Sequence, residues 1–420
     1  MLLHSISQLV TIAGPPQPGA ILGRLGIIDD AAVLVRGGKI EMVGNSDDLQ
    51  RKYADEQMVS ANHCAVLPGF VDPHTHLVWA GDRAMEFELR LEGKSYLEIM
   101  AAGGGIHSTV NATRSAAKDL LYEESLERAR ALFAHGTTTA EVKSGYGLDL
   151  ATERKQLQVA MEIGQTGTLE IVPTFLGAHT IPKEYGNDPQ KYVDLLCHQI
   201  LAEIKDWWKN SYPDKELPFV DVFCEKGAFN LQQSRQILEA AAVLGFPLKI
   251  HADEFENLGG ASLAAALGAV SADHLVKTST DDIAALARSN TVAVSLPCTP
   301  FGLSEPEYSP AKEMIEAGCT LAIASDLNPG TAWCGNMQFV IALACRYMKM
   351  TPAQAIAAAT INAAAAINLD DRIGSIEAGK QADLIILSTS DYRHIPYRFG
   401  INQVKTVIKK GVIHGDAQPC

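Results

Sequence analysis

Two histidines separated by one residue stand at the end of an apolar run, in the segment PHTH. They are His74 and His76, and side chains two positions apart on a β-strand point to the same face. Imidazole nitrogens are preferred ligands of Zn²⁺ and similar ions, so this pair could supply two ligands of a metal site. An HxH pair alone is more often a chance arrangement, so its meaning depends on the groups that lie near it.

Three more groups suited to metal chemistry close other predicted strands. His251 ends the fifth strand, His274 the sixth and Asp326 the eighth. Barrel enzymes place their catalytic groups at such strand ends, whereas histidines with a purely structural role have no reason to gather there. We therefore expect one metal to be bound by the two histidines of PHTH together with His251 and Asp326, with one further position left for water.

A metal held in this way would lower the pKa of its bound water from about 15.7 to roughly 7 and so provide hydroxide at neutral pH. Asp326 could accept the proton of that water. Glu254 follows His251 in the segment HADE and could pass a proton to a leaving nitrogen, although an acid near a helix start explains it equally well. His274 could donate a hydrogen bond to a developing oxyanion, or it could be a buried histidine bonded to the backbone.

The elements that would carry these groups alternate between strand and helix patterns from about Cys64 onward. Eight short apolar or β-branched runs predict buried parallel strands: Ala65–His76, Thr137–Gly145, Leu169–His179, Phe219–Gly227, Pro247–Glu254, Ser271–Leu275, Thr291–Pro297 and Thr320–Asp326. Amphipathic helix patterns such as Glu124–Gly136 lie between them. Because parallel strands require crossover helices, the pattern predicts an α/β fold with a (β/α)8 TIM-type barrel over residues 65–365 and an insertion at 77–123.

The two ends of the chain have a different pattern. Residues 1–64 contain strand-like runs joined by predicted tight turns at Asp29-Asp30 and Gly37-Gly38. Residues 366–420 contain the strand-like runs DLIILSTS and VKTVIKKGVI. We therefore predict that both termini pair into one small β-rich, sandwich-like domain beside the barrel.

The bulk composition limits the classes of partner. The chain of 420 residues carries a formal net charge of −14, which argues against nucleic acid and anionic membranes as ligands. It has no run of about eighteen apolar residues and no signal-peptide pattern, so we expect neither a membrane span nor secretion. The eight cysteines are scattered without a C-x-x-C pair. Free cysteines without a signal indicate a reducing cytoplasm.

A family resemblance extends over nearly the whole chain. The chain resembles the amidohydrolase superfamily in the segments PGFVDPHTH, HADE, SADH, ASDLNPG and GSIEAGKQADLIIL, and it is similar to the branch with a single metal and no carboxylated lysine. Lys226 lies near the position where relatives with two metals carry that lysine, but its segment CEKGAF does not match theirs, so we expect a structural role. The resemblance implies a TIM barrel, commonly a homodimer, with one divalent metal per subunit, Zn²⁺ or Fe, held by His74, His76, His251 and Asp326.

Longer matching segments indicate one particular group of members within that superfamily. The chain is similar to members that hydrolyse 4-imidazolone-5-propanoate to N-formimidoyl-L-glutamate in histidine degradation, in LVWAGDRAMEFELRLEGKSYLEIMAAGGGI, TTTAEVKSGYGL, PTFLGAHTIP, FCEKGAF and ASDLNPGT. The resemblance implies that Arg83 holds the propionate, for which a guanidinium offers a rigid fork. It implies that Glu254 and His274 are the acid–base and polarising groups. Contacts to substrate or product are implied for Tyr146, His179, Glu254, Asn328, Gly330 and Thr331.

The predicted reaction is attack of a metal-bound hydroxide on the carbonyl of the cyclic amide. One alternative is a deaminase of the same branch that acts on a nucleobase or related heterocycle, which would release ammonia from cytosine or guanine. A neutral base needs no carboxylate clamp, so the segment AGDRAMEF argues against it. Another alternative is a binding or scaffold protein that has lost its metal, but every candidate ligand is present in this sequence.

Overall fold

The computed structural model describes residues 1–94, 98 and 104–415, and its strands form two sheets, one of them a parallel barrel. The segment of residues 77–106 that contributes to the family resemblance lies partly outside the described residues. The last part of the predicted terminal domain, residues 416–420, also lies outside them.

The smaller sheet combines strands from both ends of the chain. The N-terminal part contributes β1 Leu2–Val10, β2 Ile27–Arg36, β3 Lys39–Asn45, β4 Met58–Ser60 and β5 Val66–Pro68, and the C-terminal part contributes β14 Leu384–Leu387, β15 Val404–Lys409 and β16 Val412–Gly415. The strand order is β16-β15-β14-β5-β1-β2-β3, and β4 pairs in parallel with β1. The prediction that both termini build one β-rich unit is confirmed.

One of the two predicted turns in this sheet is wrong. Gly37 and Gly38 form the turn between β2 and β3, with positive φ values of 56° and 75° that glycine adopts without strain. Asp29 and Asp30, in contrast, lie within β2, where Asp29 pairs with Gln8 of β1. Both aspartates are exposed, so their polarity reflects the solvent face of a strand and not a chain reversal.

The larger sheet is a barrel of eight parallel strands in chain order. They are β6 Phe70–Asp72, β7 Thr137–Lys143, β8 Glu170–Ala178, β9 Phe219–Cys224, β10 Lys249–Ala252, β11 Ser271–His274, β12 Val292–Ser295 and β13 Leu321–Ile323. An isolated parallel bridge between Thr75 and Leu327 brings the last strand to the first. The predicted (β/α)8 architecture is confirmed, and each observed strand falls within its predicted run.

The first predicted run, Ala65–His76, serves two sheets. Its first part is β5, which pairs with β14 of the smaller sheet, and its second part is β6 of the barrel. The chain passes between the sheets at Gly69, where an added Cβ would lie 2.4 Å from side-chain atoms of Thr138. A continuous apolar run gave no sign of this division.

The helices connect the barrel strands and cover their outer face. The first ones are α1 Ser46–Lys52 in the N-terminal part and α2 Ala84–Leu91, α3 Ile106–Ser115 and α4 Lys118–Ala134 between β6 and β7. The others up to β13 are α5 Leu150–Gly164, α6 Pro189–Leu195, α7 Leu201–Ser211, α8 Leu231–Val243, α9 Gly260–Leu267, α10 Thr280–Ala287, α11 Cys298–Leu303 and α12 Ala311–Ala317. After β13 follow α13 Met337–Arg346, α14 Pro352–Ala358, α15 Ile361–Ala365 and α16 His394–Tyr397. A π-helical turn, Leu196–Ile200, joins α6 to α7, and the short 3₁₀ segments are Gly19–Ile21 and Lys183–Tyr185.

Local sequence signals account for several helix starts. Asn230 caps α8 and Thr351 caps α14, each in a reciprocal capping box with the glutamine three residues later. The buried face of α8, with Ile237 and Leu238, packs into the main apolar core around the barrel. Such packing fixes the helices against the strands and so fixes the positions of the strand ends. No helix in the described ranges is both long and apolar enough to span a bilayer.

Candidate metal centre and active site

The predicted metal ligands come from distant parts of the sequence and meet at the C-terminal ends of the barrel strands. His74 and His76 follow β6, and His251 lies within β10. Asp326 follows β13 in a left-handed backbone conformation, with φ of 55°. The candidate ligand atoms of His74, His76 and Asp326 all lie within 4.8 Å of one another.

The spacing of these atoms suits a shared ion. Oδ1 of Asp326 lies 3.4 Å from Nε2 of His74 and 3.6 Å from Nε2 of His76. Nε2 of His251 lies 3.4 Å from Nε2 of His76. Tetrahedral ligands placed about 2.1 Å from one ion would be about 3.4 Å apart. The spacing of His74, His76 and Asp326 therefore suits one metal ion of ordinary coordination geometry, and His251 adjoins this set through His76.

The protonation states of these groups also fit a metal. Burial lowers the pKa of His74 and of His76 well below the usual range, so both imidazoles are neutral and can donate a lone pair. Nε2 of His74 is buried and has no hydrogen-bond partner among the described residues. Burial raises the pKa of Asp326 to about 6 against the hydrogen bond from Thr299. A divalent cation would give the free nitrogen a partner and offset the buried carboxylate.

Two further imidazoles border the same point. The ring of His179 stacks on that of His76, with centroids 4.8 Å apart, and its Nδ1 lies 3.0 Å from the carbonyl oxygen of Gly145. The ring of His274 lies 5.2 Å from that of His251. The structure thus brings the predicted substrate-contacting and polarising histidines next to the predicted ligands.

Glu254 lies beside His274, with Oε2 of the acid 3.5 Å from Nε2 of the imidazole. Burial raises the pKa of Glu254 well above its ordinary value, and the carboxylates of Asp326 and Glu225 add to the effect. Glu254 therefore keeps its proton at a higher pH than an exposed glutamate does, as a proton donor requires. It also borders a cavity of about 190 Å³, together with Thr299.

The predicted carboxylate clamp, Arg83, precedes helix α2 at the mouth of the barrel. Its Nε donates a hydrogen bond of 2.8 Å to Oε2 of Glu86, which fixes the guanidinium plane. Its Nη1 lies over Gly330, since a Cβ added there would be only 2.2 Å away. The same loop is bonded by Arg90, whose Nη2 donates to the carbonyl oxygen of Gly330 at 3.0 Å.

The loop after β13 is held together by Asn328. Its Oδ1 accepts hydrogen bonds from the backbone N–H groups of Gly330 at 2.7 Å and Thr331 at 2.8 Å. Its Nδ2 donates to the carbonyl oxygen of Asp326 at 2.7 Å. The amide of Asn328 therefore fixes the loop to the metal-site aspartate, and its predicted contact with substrate stays a prediction.

Tyr146 completes the side of the site nearest the clamp. Its ring centroid lies 5.7 Å from that of His76 and 5.3 Å from that of His179. Burial raises the pKa of the Tyr146 phenol, against the nearby positive charge of Arg83, so the hydroxyl remains a donor. The phenol of Tyr146 thus lies beside His76 and His179, whereas Glu254 lies beside His274.

Comparison with known proteins assigns this arrangement to a family. The chain matches the Amidohydrolase family over residues 65–414. An imidazolonepropionase of Herpetosiphon aurantiacus is 51% identical over 410 residues, which cover 98% of this chain and 96% of that protein. The chain belongs to the imidazolonepropionase family. An imidazolonepropionase of Symbiobacterium thermophilum is 48% identical, again over 98% of this chain and 96% of that protein.

Family membership confirms the predicted class of enzyme. The chain is an amidohydrolase-type hydrolase, and the imidazolonepropionase assignment holds over the alternative of a nucleobase deaminase. Membership of this family, together with the histidine groups, indicates a divalent metal. The metal-free scaffold alternative expects missing ligands, whereas the structure brings all four predicted ligands together.

Solved structures of remote relatives share the fold. A zinc-bound adenosine deaminase from Xanthomonas campestris has a TM-score of 0.72 and 21% identity, over 100% of this chain and 93% of that one. A triazine hydrolase variant has a TM-score of 0.76 and 15% identity, over 100% of this chain and 95% of that one. At these identities the likeness concerns the barrel and its accompanying sheet.

Several buried polar residues that contact the candidate metal ligands of this imidazolonepropionase-family chain were not singled out from its sequence. Thr299 donates a hydrogen bond to Asp326. Asp273 and Asp221 are fully buried beside ligand histidines, and Lys143 lies between them. The available signal was a charged residue within an otherwise apolar strand, as in FVDVFC and AEVK.

Lys226 does not point into the site. It is largely exposed, and its Nζ lies 2.6 Å from Oε1 of the exposed Glu256. A lysine in this position does not reach the metal point, as expected for the branch with one metal.

Proposed function

We propose that this chain hydrolyses 4-imidazolone-5-propanoate to N-formimidoyl-L-glutamate, the reaction implied by its sequence resemblance. The observation that carries the proposal is the position of the Arg83 guanidinium, against Gly330 in the loop that follows Asp326. A substrate whose carboxylate is held by Arg83 would have its ring next to the metal ligands. A neutral nucleobase has no carboxylate to accept from the Nη donors of this guanidinium, whose Nε is already bonded to Glu86.

The metal would be held by His74, His76, His251 and Asp326. When bound, it would supply a Lewis acid that polarises a carbonyl and lowers the pKa of a coordinated water. The three imidazoles and one carboxylate suit Zn²⁺ and also Fe, and we propose one such ion per subunit.

The substrate is oriented by groups that follow the barrel strands β6, β7 and β8 and by the loop after β13. Arg83 offers its fork to the propionate, which converts binding energy into orientation of the ring. Tyr146 and His179 contact the ring or its arm from the neighbouring strand ends. Asn328, Gly330 and Thr331 shape the loop that closes over the substrate.

Proton movements are divided between two carboxyl groups. Asp326 accepts the proton of the attacking water. His274 donates a hydrogen bond to the developing oxyanion. Glu254, which keeps its proton to a raised pH, delivers it to the departing ring nitrogen.

The organisation of the molecule completes the proposal. We propose a composite domain within residues 1–64 and 366–420 and a hydrolase barrel within residues 65–365, with β5 Val66–Pro68 pairing into the smaller sheet. We further propose that the protein is a homodimer in the cytoplasm and acts on a small-molecule substrate without nucleic acid or membrane partners.

The deciding experiment follows the ultraviolet absorbance of freshly generated 4-imidazolone-5-propanoate with metal-containing wild type, Arg83→Ala and Arg235→Ala. Arg235 is exposed and, within the described part of the chain, pairs with Glu239 of the same helix α8, so it controls for loss of one positive charge. We expect rapid loss of substrate with wild type and with Arg235→Ala. Arg83→Ala should raise KM by about 10- to 100-fold, the worth of a charge-assisted hydrogen bond.

No loss of substrate above the uncatalysed rate, in protein shown to contain metal, would overturn the proposal. Ammonia release from cytosine or guanine by the same preparation would favour the deaminase alternative instead. An unchanged KM in Arg83→Ala would remove the carboxylate clamp from the mechanism.

A further inference from the structure

A lysine lies fully buried beneath the candidate metal centre. Lys143 is the last residue of β7, and none of its surface is exposed. Its backbone N–H donates to the carbonyl oxygen of Thr75, the residue between His74 and His76, at 2.9 Å. Burial of an ammonium group is costly unless it is paired, so its partners must explain its presence.

Three buried carboxylates surround this ammonium group. Nζ of Lys143 lies 2.8 Å from Oε1 of Glu141, 2.8 Å from Oδ2 of Asp221 and 3.7 Å from Oδ2 of Asp273. Desolvation opposes the charge on Lys143, but the carboxylates, Asp221 foremost, outweigh it and raise the pKa of the lysine. Lys143 is therefore a cation shared by three anions from three different strands.

Two of these carboxylates lie against the rings of predicted metal ligands. Oδ2 of Asp273 lies 2.7 Å from Nδ1 of His74. Oδ2 of Asp221 lies 3.0 Å from Nδ1 of His251, and Oδ1 of Asp221 accepts the backbone N–H of His251 at 3.2 Å. In both rings the Nδ1 atom faces a carboxylate, which leaves Nε2 for the metal point.

Glu141 completes the connection to the HxH segment. Its Oε2 accepts the backbone N–H of Thr75 at 3.3 Å, and its carbonyl oxygen accepts the Thr75 hydroxyl at 2.7 Å. Thr75 is the residue between His74 and His76, so Glu141 fixes the backbone from which both imidazoles project. The ammonium of Lys143 thus contacts the three carboxylates that are bonded to, or lie beside, the side chains or backbone of the histidine segments.

We propose that Lys143 is a positioning residue that fixes the relative orientation of His74, His76 and His251 through Asp273, Glu141 and Asp221. The inference rests on the proposed metal site but not on the identity of the substrate. Without the ammonium, three buried carboxylates would repel one another and lose their common anchor. The histidines would then meet the metal with a less ordered geometry and a weaker affinity.

Lys249 provides a matched control in the same buried layer. It is also fully buried, and its Nζ donates to the Ser271 hydroxyl at 2.6 Å and to the carbonyl oxygen of Ala366 at 3.0 Å. It lies 3.8 Å from Asp273. Removing Lys249 therefore deletes another buried lysine that lies near Asp273, while leaving the bonds of Lys143 to Glu141 and Asp221 in place.

The test measures metal affinity and coordination without using the substrate. Apoprotein of wild type, Lys143→Met and Lys249→Met competes with a chromophoric chelator for Zn²⁺, and the Co²⁺-loaded forms are compared by visible absorption. We expect Lys143→Met to bind Zn²⁺ about 10- to 100-fold more weakly and to show an altered Co²⁺ spectrum. Lys249→Met should retain the wild-type spectrum and change the affinity by less than about 3-fold.

Two results would overturn the inference. One is a Zn²⁺ affinity and a Co²⁺ spectrum of Lys143→Met equal to those of wild type. The other is an equal loss of affinity in Lys143→Met and Lys249→Met, because this would show a general effect of a missing buried cation. Neither result depends on hydrolysis, so failure of the substrate assay leaves this test unaffected.

A second variant keeps the test decisive if Lys143→Met does not fold. Asp273→Asn retains the size of the side chain and an oxygen that can accept from His74, but it removes the charge paired with Lys143. We expect an affinity for Zn²⁺ about 10-fold weaker than wild type. A wild-type affinity in this variant would contradict the proposed transmission from Lys143 to His74.

Discussion

The hydroxyl of Thr299 donates a hydrogen bond to Oδ2 of Asp326, and the other carboxylate oxygen of Asp326 faces His74 and His76. Thr299 belongs to α11, directly after β12, and Asp326 follows β13. The bond therefore connects the ends of two neighbouring strands and gives the two carboxylate oxygens of Asp326 different partners. One oxygen is held by the protein, and the other is presented to the metal point.

Thr299→Val should lower kcat without unfolding the protein. The valine keeps the shape of the side chain but leaves Oδ2 of Asp326 without its donor, so the carboxylate can rotate away from its working position. A hydrogen bond to a charged group is worth about 1.5–3 kcal/mol, which corresponds to roughly 10- to 100-fold in rate. Steady-state kinetics on metal-replete protein measures the effect, and Thr299→Ser should restore most of the activity. A fully active valine variant would show that the orientation of Asp326 does not depend on Thr299.

Gly330→Ala should weaken substrate binding while leaving metal content unchanged. The new Cβ would lie 2.2 Å from Nη1 and 2.9 Å from Cζ of Arg83, so the guanidinium must leave its present position. Displacement of the carboxylate fork should raise KM by about 10-fold or more. Kinetics alongside metal analysis separates this effect from damage to the metal site. Wild-type KM values for the alanine variant would mean that Arg83 does not bind substrate from its position over Gly330.

Glu254→Gln should abolish most of the turnover. Glutamine fills the same space beside His274 but cannot deliver a proton to the leaving nitrogen, and general acid catalysis contributes about 10²- to 10⁴-fold. We expect a fall in kcat of that size with KM changed only slightly. The comparison requires metal-loaded proteins with matching thermal denaturation curves. A loss confined to KM would assign Glu254 to binding instead of proton transfer.

Glu170→Gln should destabilise the junction between the two sheets in a pH-dependent manner. Glu170 in β8 pairs with Arg372 and, at 3.3 Å, with Lys409 of β15. Burial opposes its charge, but Lys409 and Arg372 outweigh burial and lower the pKa of Glu170 from 4.5 to about 2. Because the folded pKa is the lower one, the stabilisation is fully present above about pH 4.5 and disappears as the pH falls towards 2.

The size of that effect follows from the shift in pKa. At pH 7 the substitution should lower the free energy of unfolding by about 2–3 kcal/mol, and the difference from wild type should shrink below pH 4.5. Urea unfolding at several pH values measures it. Glu239→Gln is the control, since Glu239 is exposed and among the residues described pairs with Arg235 along α8. A difference that stayed constant from pH 7 to pH 3 would rule out ionisation of Glu170 as its cause.

Much of the fold could be predicted because strand and helix patterns are local. The runs Thr137–Gly145 and Phe219–Gly227 contain β7 and β9, since buried parallel strands consist of short apolar stretches between helices. The division of Ala65–His76 at Gly69 could not be predicted, because membership of a sheet depends on which distant strand pairs with each half. The exposed acidic pair in β2 was mistaken for a turn for a similar reason.

The residue types of the metal site were visible in the sequence, and the supporting groups below it were not. The spacing of PHTH and the positions of His251 and Asp326 at strand ends were sufficient to propose a common site. For Lys143 the only signal was a charge within the apolar run AEVK. That signal gave no partner or role, because a lysine at the end of a strand has the same local appearance whether it is exposed or buried.

The sequence by itself determined the order of strands and helices, the chemistry of the metal donors and the family resemblance, because these depend on residue type and near-neighbour spacing. Only the tertiary structure decided that Lys143 lies among Glu141, Asp221 and Asp273, and that Arg83 lies over Gly330. The physical reason is closure of the barrel. It brings strand ends from distant parts of the chain within a few ångströms, and local periodicity does not encode which side chains then meet.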